Sequence, residues 1–199
     1  MKSIRIPHSA FRNRVIYPVI LAVPKTAQAL KPRERVKLLS QHARRALEQS
    51  AEKSSVRLGA LAKDERNAPL PFNGIYWSVT HKNEYVAGVV CPSPTGIDIE
   101  KICPRANSLF RKTAGEAEWA LADRSFTTFF RYWTAKEAVL KAAGVGLRDL
   151  SKCRISRVIG THHLDVEYDG NQWQIEHNFF DSHIASTVKN DFVIEWTIC

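Results

Sequence analysis

The sequence predicts an α+β protein of two similar subdomains, each a helix packed on a small antiparallel sheet, the two related by a pseudo-twofold. Three observations predict this. Each half reads as one long helix accompanied by short strands bounded by Gly, Pro, Asn and Asp. The segment YVAGVV at 85–90 is echoed by HIASTV at 183–188, an offset of 98 residues in a chain of 199. Moving the helix around Arg44 by the same offset lands beside Lys141, inside the second long helix. Such a repeat predicts lobes 1–94 and 95–199, with a cleft between them of the kind that binds ligands.

The elements follow in order. Residues 15–23 (VIYPVILAV) are dense in Val and Ile and read as a buried strand. They also follow a basic stretch and precede Ala27-Gln28-Ala29, which is the pattern of a signal peptide. Pro18 interrupts the run, and it is far too short to span a bilayer. Residues 31–54 read as a helix, with Pro32 in the first turn and Val36, Leu39, Ala43, Ala46 and Leu47 on one face. Strands are expected at 75–81 and 85–90 around a polar turn, and at 95–102 after Pro92 and Pro94. Helices are expected at 106–123 and 127–143, the second stopped by Gly144 and Gly146. The remainder reads as β-rich. Residues 164–168 and 173–177 flank Asp169-Gly170, a hairpin signal, and 183–188 and 192–198 flank another short turn.

Composition is that of a globular chain, 44% hydrophobic and 25% charged. The net charge of +9 is uneven. Residues 1–95 hold 16 Lys and Arg against 6 Asp and Glu, so the whole excess lies in the first half. That asymmetry points to an anionic partner, or else to a solvated basic face. Cys91, Cys103, Cys153 and Cys199 are far apart and form no CxxC pair, which argues against a zinc site or disulfide framework.

Two segments carry candidate chemistry. In Gly96-Ile97-Asp98-Ile99-Glu100, the carboxylates two apart on a strand face one side while the isoleucines face the other. Two like charges held together need a positive neighbour, and paired oxygens suit a hard cation such as Mg²⁺. The same five residues also read as a solvent-facing strand. In WTAKEAVLK at 133–141, Glu137 and Lys141 lie four apart on one helix face. That spacing is equally the mark of a surface ion pair. Thr134 with Glu137 also has the spacing of a capping box, although the apolar run through Phe129, Phe130 and Trp133 implies an earlier helix start.

Together, GIDIE at 96–100 and WTAKEAVLK at 133–141, followed by Gly144-Val145-Gly146-Leu147, resemble the signature of the 4′-phosphopantetheinyl transferase superfamily. The order and spacing of the two blocks are specific, and the length is similar to the two-lobed, monomeric surfactin-synthetase-activating type. The resemblance implies Mg²⁺, with Mn²⁺ as a substitute, held by Asp98, Glu100 and Glu137. It implies Glu137, Lys141 and Lys136 as catalytic residues. Thr80-His81 stands where the family has Ser-His, seventeen residues before the aspartate, and His81 is implied to contact the 3′-phosphate of coenzyme A. Arg44, or its neighbour Arg45, is implied in nucleotide binding. The family's Gly-Lys-Pro is replaced by Asn67-Ala68-Pro69, with Arg66 or Lys63 as the nearest substitutes for the missing lysine.

The implied activity moves phosphopantetheine from coenzyme A to a serine of an acidic apo acyl or peptidyl carrier protein, releasing 3′,5′-ADP. The basic first lobe then supplies nucleotide-side contacts and the second the metal site. A cytoplasmic monomer with no nucleic-acid or membrane partner is expected. The alternatives are a metal-dependent nuclease and a non-catalytic binding module. Nuclease sites with similar residues place Glu and Lys two apart on a strand, and a pure binder has no need to hold carboxylates together. His42, His162, His163, His177 and His183 show no ligand spacing.

Overall fold

The computed structural model of the chain describes residues 14–199. Its elements begin with β1 (Val15–Ile16), β2 (Val19–Ala22), α1 (Pro32–Lys53), β3 (Tyr76–His81) and β4 (Tyr85–Cys91). β5 (Ile97–Lys101), α2 (Asn107–Thr113), α3 (Glu116–Trp119) and α4 (Phe126–Ala143) follow. The chain ends with β6 (Arg154–Ile159), β7 (His163–Tyr168), β8 (Asn171–Phe180), β9 (His183–Val188), β10 (Val193–Ile194) and β11 (Thr197–Ile198). These form two compact units, one ending at Thr95 and rejoined by residues 191–199, the other spanning 96–190. The expected α+β class holds, because each unit is a long helix on a mainly antiparallel sheet.

In the first unit the strand order is β11-β2-β4-β3. The single strand expected at 15–23 is two, because Pro18 has no N–H to donate to a ladder. α1 begins at Pro32, whose missing N–H is harmless in a first turn. Leu39, Ala43, Ala46, Leu47 and Ala51 form its buried stripe. Val36, expected on that face, is 56% exposed. Gly88 of β4 lies directly under the helix, where an added Cβ would stand 2.4 Å from the Leu47 amide nitrogen. Residues 191–199, expected with the second lobe, group with the first, because β10 pairs with β1 and β11 with β2, both in parallel.

In the second unit β5-β9-β8-β7-β6 form one antiparallel sheet. α4 crosses it and packs Phe130, Ala135, Val139 and Leu140 into a core with Leu164, Val166, Ile175 and Ile184. Each fully buried aliphatic or aromatic side chain there contributes about 1.5–3 kcal/mol. α4 starts where the apolar run implies. Ser125 caps it by accepting from the Thr128 amide at 3.2 Å, and Gly144 ends it in the left-handed region at φ 70°. The helix expected at 106–123 is instead α2 and α3, parted by Ala114 and Gly115 in extended conformation. The break lets Phe110 and Trp119 both reach α4, at 4.9 Å from Phe129 and 5.1 Å from Tyr132 respectively. No helix among the described residues is long and apolar enough to cross a membrane.

Candidate functional site

β5 carries the first signature block into the second unit's sheet. Gly96 precedes it because α4 lies on its backbone: a Cβ there would stand 1.9 Å from the Ala138 carbonyl oxygen. A carbonyl cannot swing aside as a side-chain tip can. Gly96→Ala is therefore expected to lower stability by about 3 kcal/mol or more, read as an early midpoint in a urea melt. A melt matching the parent would show that the close approach is absent in solution.

Asp98 pairs in register with Ser186 of β9, and Glu100 with Ile184. Asp98 is 1% exposed and Glu100 is half-buried, so the strand is not solvent-facing. From the helix above, the Lys141 ammonium donates to Asp98 Oδ1 at 2.7 Å and to the Ile97 carbonyl at 3.0 Å. The same ammonium lies 3.9 Å from Glu137 Oε2. One acid from each signature block thus meets a single positive charge. Glu137 and Lys141 sit on a helix, unlike the strand arrangement of the nuclease alternative.

Lys136 is not part of this group. Its ammonium is buried on another side of α4, 2.7 Å from Glu118 Oε1 and donating to the Thr113 carbonyl at 2.7 Å. Glu118 also accepts from the amides of Ile155 and Gly115, each at 2.8 Å. Lys136, expected among the catalytic residues, makes these contacts apart from the Asp98–Lys141–Glu137 group. This ion pair ties α4 to α2, α3 and β6.

Among the described residues, no three of His, Cys, Asp and Glu converge closely enough to form a metal cluster. The donor chemistry nonetheless fits a hard cation. Asp98 and Glu137 offer oxygens to a common positive charge, now supplied by Lys141.

A family model for the 4′-phosphopantetheinyl transferase superfamily matches residues 94–195, about half of the chain. The chain belongs to that superfamily. Among curated proteins, the 4′-phosphopantetheinyl transferase gsp of Aneurinibacillus migulanus is 29% identical over 90 residues, covering 43% of this chain and 38% of its own. The 4′-phosphopantetheinyl transferase psf-1 of Bacillus pumilus is 34% identical over 77 residues, covering 36% of this chain and 33% of its own. The chain thus matches little more than a third of the length of these phosphopantetheinyl transferases.

The superfamily match takes in Asp98, Glu100, Glu137 and Lys141 but not the residues implied in nucleotide binding. Those lie in the first unit. Arg44 and Arg45 are exposed on α1, with Arg44 facing Glu48 at 3.5 Å. On β3, Thr80 is buried and His81 is exposed, in register with Ala87 and Val86 of β4. Arg66 is exposed on the loop before β3, where the Asp64 carboxylate accepts from the amides of Arg66 and Ala68 at 2.9 and 2.8 Å.

The sequence left His177 unassigned, yet its imidazole is buried beside the candidate site. It lies on β8, with Nδ1 2.7 Å from Ser186 Oγ. Ser186 Oγ in turn lies 2.5 Å from Thr134 Oγ1 of α4. Burial, then the nearby Arg131 charge, hold the imidazole well below its ordinary value. A base depressed in the folded state contributes its full stability above the unfolded value of about 6.5 and loses it as pH falls. Below that pH, stability is expected to drop by about 1.4 kcal/mol per unit on account of His177. Denaturant melts between pH 5 and 7 should show a shallower slope in His177→Gln. Parallel slopes would remove the residue from the account.

Proposed function

We propose that the protein transfers the 4′-phosphopantetheine arm of coenzyme A to a serine of an apo acyl or peptidyl carrier protein. The observation that carries this reading is the meeting of Asp98 and Glu137, one acid from each signature block, at the Lys141 ammonium. The names of the relatives support it.

In this reading Asp98, Glu100 and Glu137 hold Mg²⁺, with Mn²⁺ as a substitute. When bound, the ion would supply positive charge against the pyrophosphate of coenzyme A. Phosphoryl transfer is chiefly positioning and charge neutralisation, which suits a site made of oxygen donors and one lysine. Glu137, which is half-buried, takes the proton of the carrier serine. The serine oxygen forms its bond to the phosphorus nearer the pantetheine. The bond from that phosphorus to the bridging oxygen breaks, and 3′,5′-ADP leaves with the electron pair. Lys141 stabilises the charge that develops there. His81 and Thr80, with Arg44, Arg45 and Arg66, serve the nucleotide and its 3′-phosphate. Both partners are anionic, and the charge of the basic first half speeds their encounter. A cytoplasmic monomer completes the reading.

The test is direct. The protein, Mg²⁺ and coenzyme A are incubated with apo acyl and peptidyl carriers, and each carrier is weighed by mass spectrometry. A phosphopantetheine adduct that disappears with chelator and returns with Mg²⁺ or Mn²⁺ is the expected result. No adduct on any of several carriers would sink the reading, and DNA cleavage under the same conditions would replace it with the nuclease.

A further inference from the structure

The second signature block contains a threonine that the proposed chemistry does not use. Thr134 is fully buried, as is Ser186, and His177 is 1% exposed. Their contacts form one chain from β8 through β9 to α4, and counting protons gives it a direction. Each hydroxyl has one proton, and a neutral imidazole has one N–H. Thr134 Oγ1 donates to the Phe130 carbonyl at 2.7 Å. Its contact with Ser186 must then be accepted, so Ser186 donates to Thr134. Ser186 in turn accepts from His177 Nδ1–H. Among the described residues, Nε2 of His177 has no hydrogen-bond partner. In this direction Nε2 is a bare lone pair. The opposite direction would leave a buried N–H donor without an acceptor, the rarer and costlier defect.

The chain lies beside the candidate site by register. Ser186 is the cross-strand partner of Asp98, so both side chains share one face of the sheet. Thr134 and Lys141 are seven apart on α4 and share one face of the helix. The two faces are joined twice, Thr134 to Ser186 and Lys141 to Asp98, with the Ala138 carbonyl over Gly96 between the joints. We propose that Thr134, Ser186 and His177 are positioning residues: their directed chain fixes where α4 sits along β9, and so places Glu137 and Lys141 opposite Asp98. Thr134 belongs to the signature block because it supplies the helix end of that link. The kinetic consequence rests on the transferase reading; the geometric one does not.

Three variants test this: Thr134→Val, which keeps the shape and removes the hydroxyl, Thr134→Ser, which restores it, and Ser186→Ala. The imidazole nitrogen shifts of His177 should report the Nδ1–H tautomer in the parent and in Thr134→Ser. An Nε2–H tautomer in the parent would overturn the direction of the chain. The Lys141 ammonium, held by Asp98 and the Ile97 carbonyl, should give a protected signal at low temperature in nitrogen-edited spectra. That signal should persist in Thr134→Ser and vanish in Thr134→Val and Ser186→Ala. In the same two variants kcat should fall by about tenfold or more with KM for coenzyme A unchanged, the signature of misplaced groups rather than lost binding. Parent-like ammonium signals and kcat in both would overturn the positioning role. If the parent itself transfers nothing, the transferase reading fails alone, and the two spectroscopic measurements still decide this inference.

Discussion

Asp98→Ala is expected to lower phosphopantetheine transfer by about 10³-fold or more, the scale lost when a preorganised electrostatic group is removed from a transition state. Its carboxylate is almost fully buried and is the shortest contact of the Lys141 ammonium. Without it, the site loses a deeply desolvated charge, whose field water screens little. The fold should survive. Lys141 keeps the Ile97 carbonyl at 3.0 Å and Glu137 at 3.9 Å, and its side chain is 28% exposed, so it can turn toward water. Asp98→Asn sharpens the test, because it preserves volume and an acceptor while removing charge. Transfer should be as poor as in Asp98→Ala, with a melting midpoint closer to the parent. An asparagine variant retaining more than about a tenth of the parent rate would show that the charge at Asp98 is not what the reaction uses.

Lys136→Met is expected to do the reverse: a large loss of stability and little loss of turnover. The Lys136 and Glu118 side chains are 2% and 12% exposed, and breaking a buried pair by removing one partner costs about 3–5 kcal/mol. Glu118 would remain buried against two amides but without its cation. Adding Glu118→Gln should recover part of the loss, because the uncompensated charge is gone. Denaturant melts measure the first effect, and transfer per folded molecule measures the second. A Lys136→Met protein of parent stability that fails to transfer would place Lys136 in the chemistry. The contrast with Lys141, five residues on, follows from helix geometry: residues that far apart point in different directions.

What the sequence made legible was local and periodic. The apolar stripe of α1, the alternation in β5 and the stop at Gly144 are each encoded within one element, and each stands close to where the pattern puts it. The two signature blocks made Asp98, Glu137 and Lys141 legible as a group. What escaped was non-local. Nothing in the run 106–123 announces that Ala114 and Gly115 are extended, because the break is set by Phe110 and Trp119 seeking the aromatic face of α4. Lys136 looks like any helical lysine until Glu118, eighteen residues earlier across an irregular segment, is seen beneath it. His177 and Ser186 carry no motif, and only the register between β5, β8 and β9 brings them to Asp98. The parallel pairing of residues 193–194 and 197–198 with the first strands has no signature in their own sequence.

That last pairing has a consequence for how the chain is made. Residues 96–190 are contiguous, so the second unit can complete its sheet as soon as they leave the ribosome. The first unit is begun earlier but closes later, because β11 forms the strand beside β2 and follows the second unit in the chain. Until then β2 has a bare edge, the kind of surface on which nascent chains mispair. Of the two units, the interrupted one is completed second.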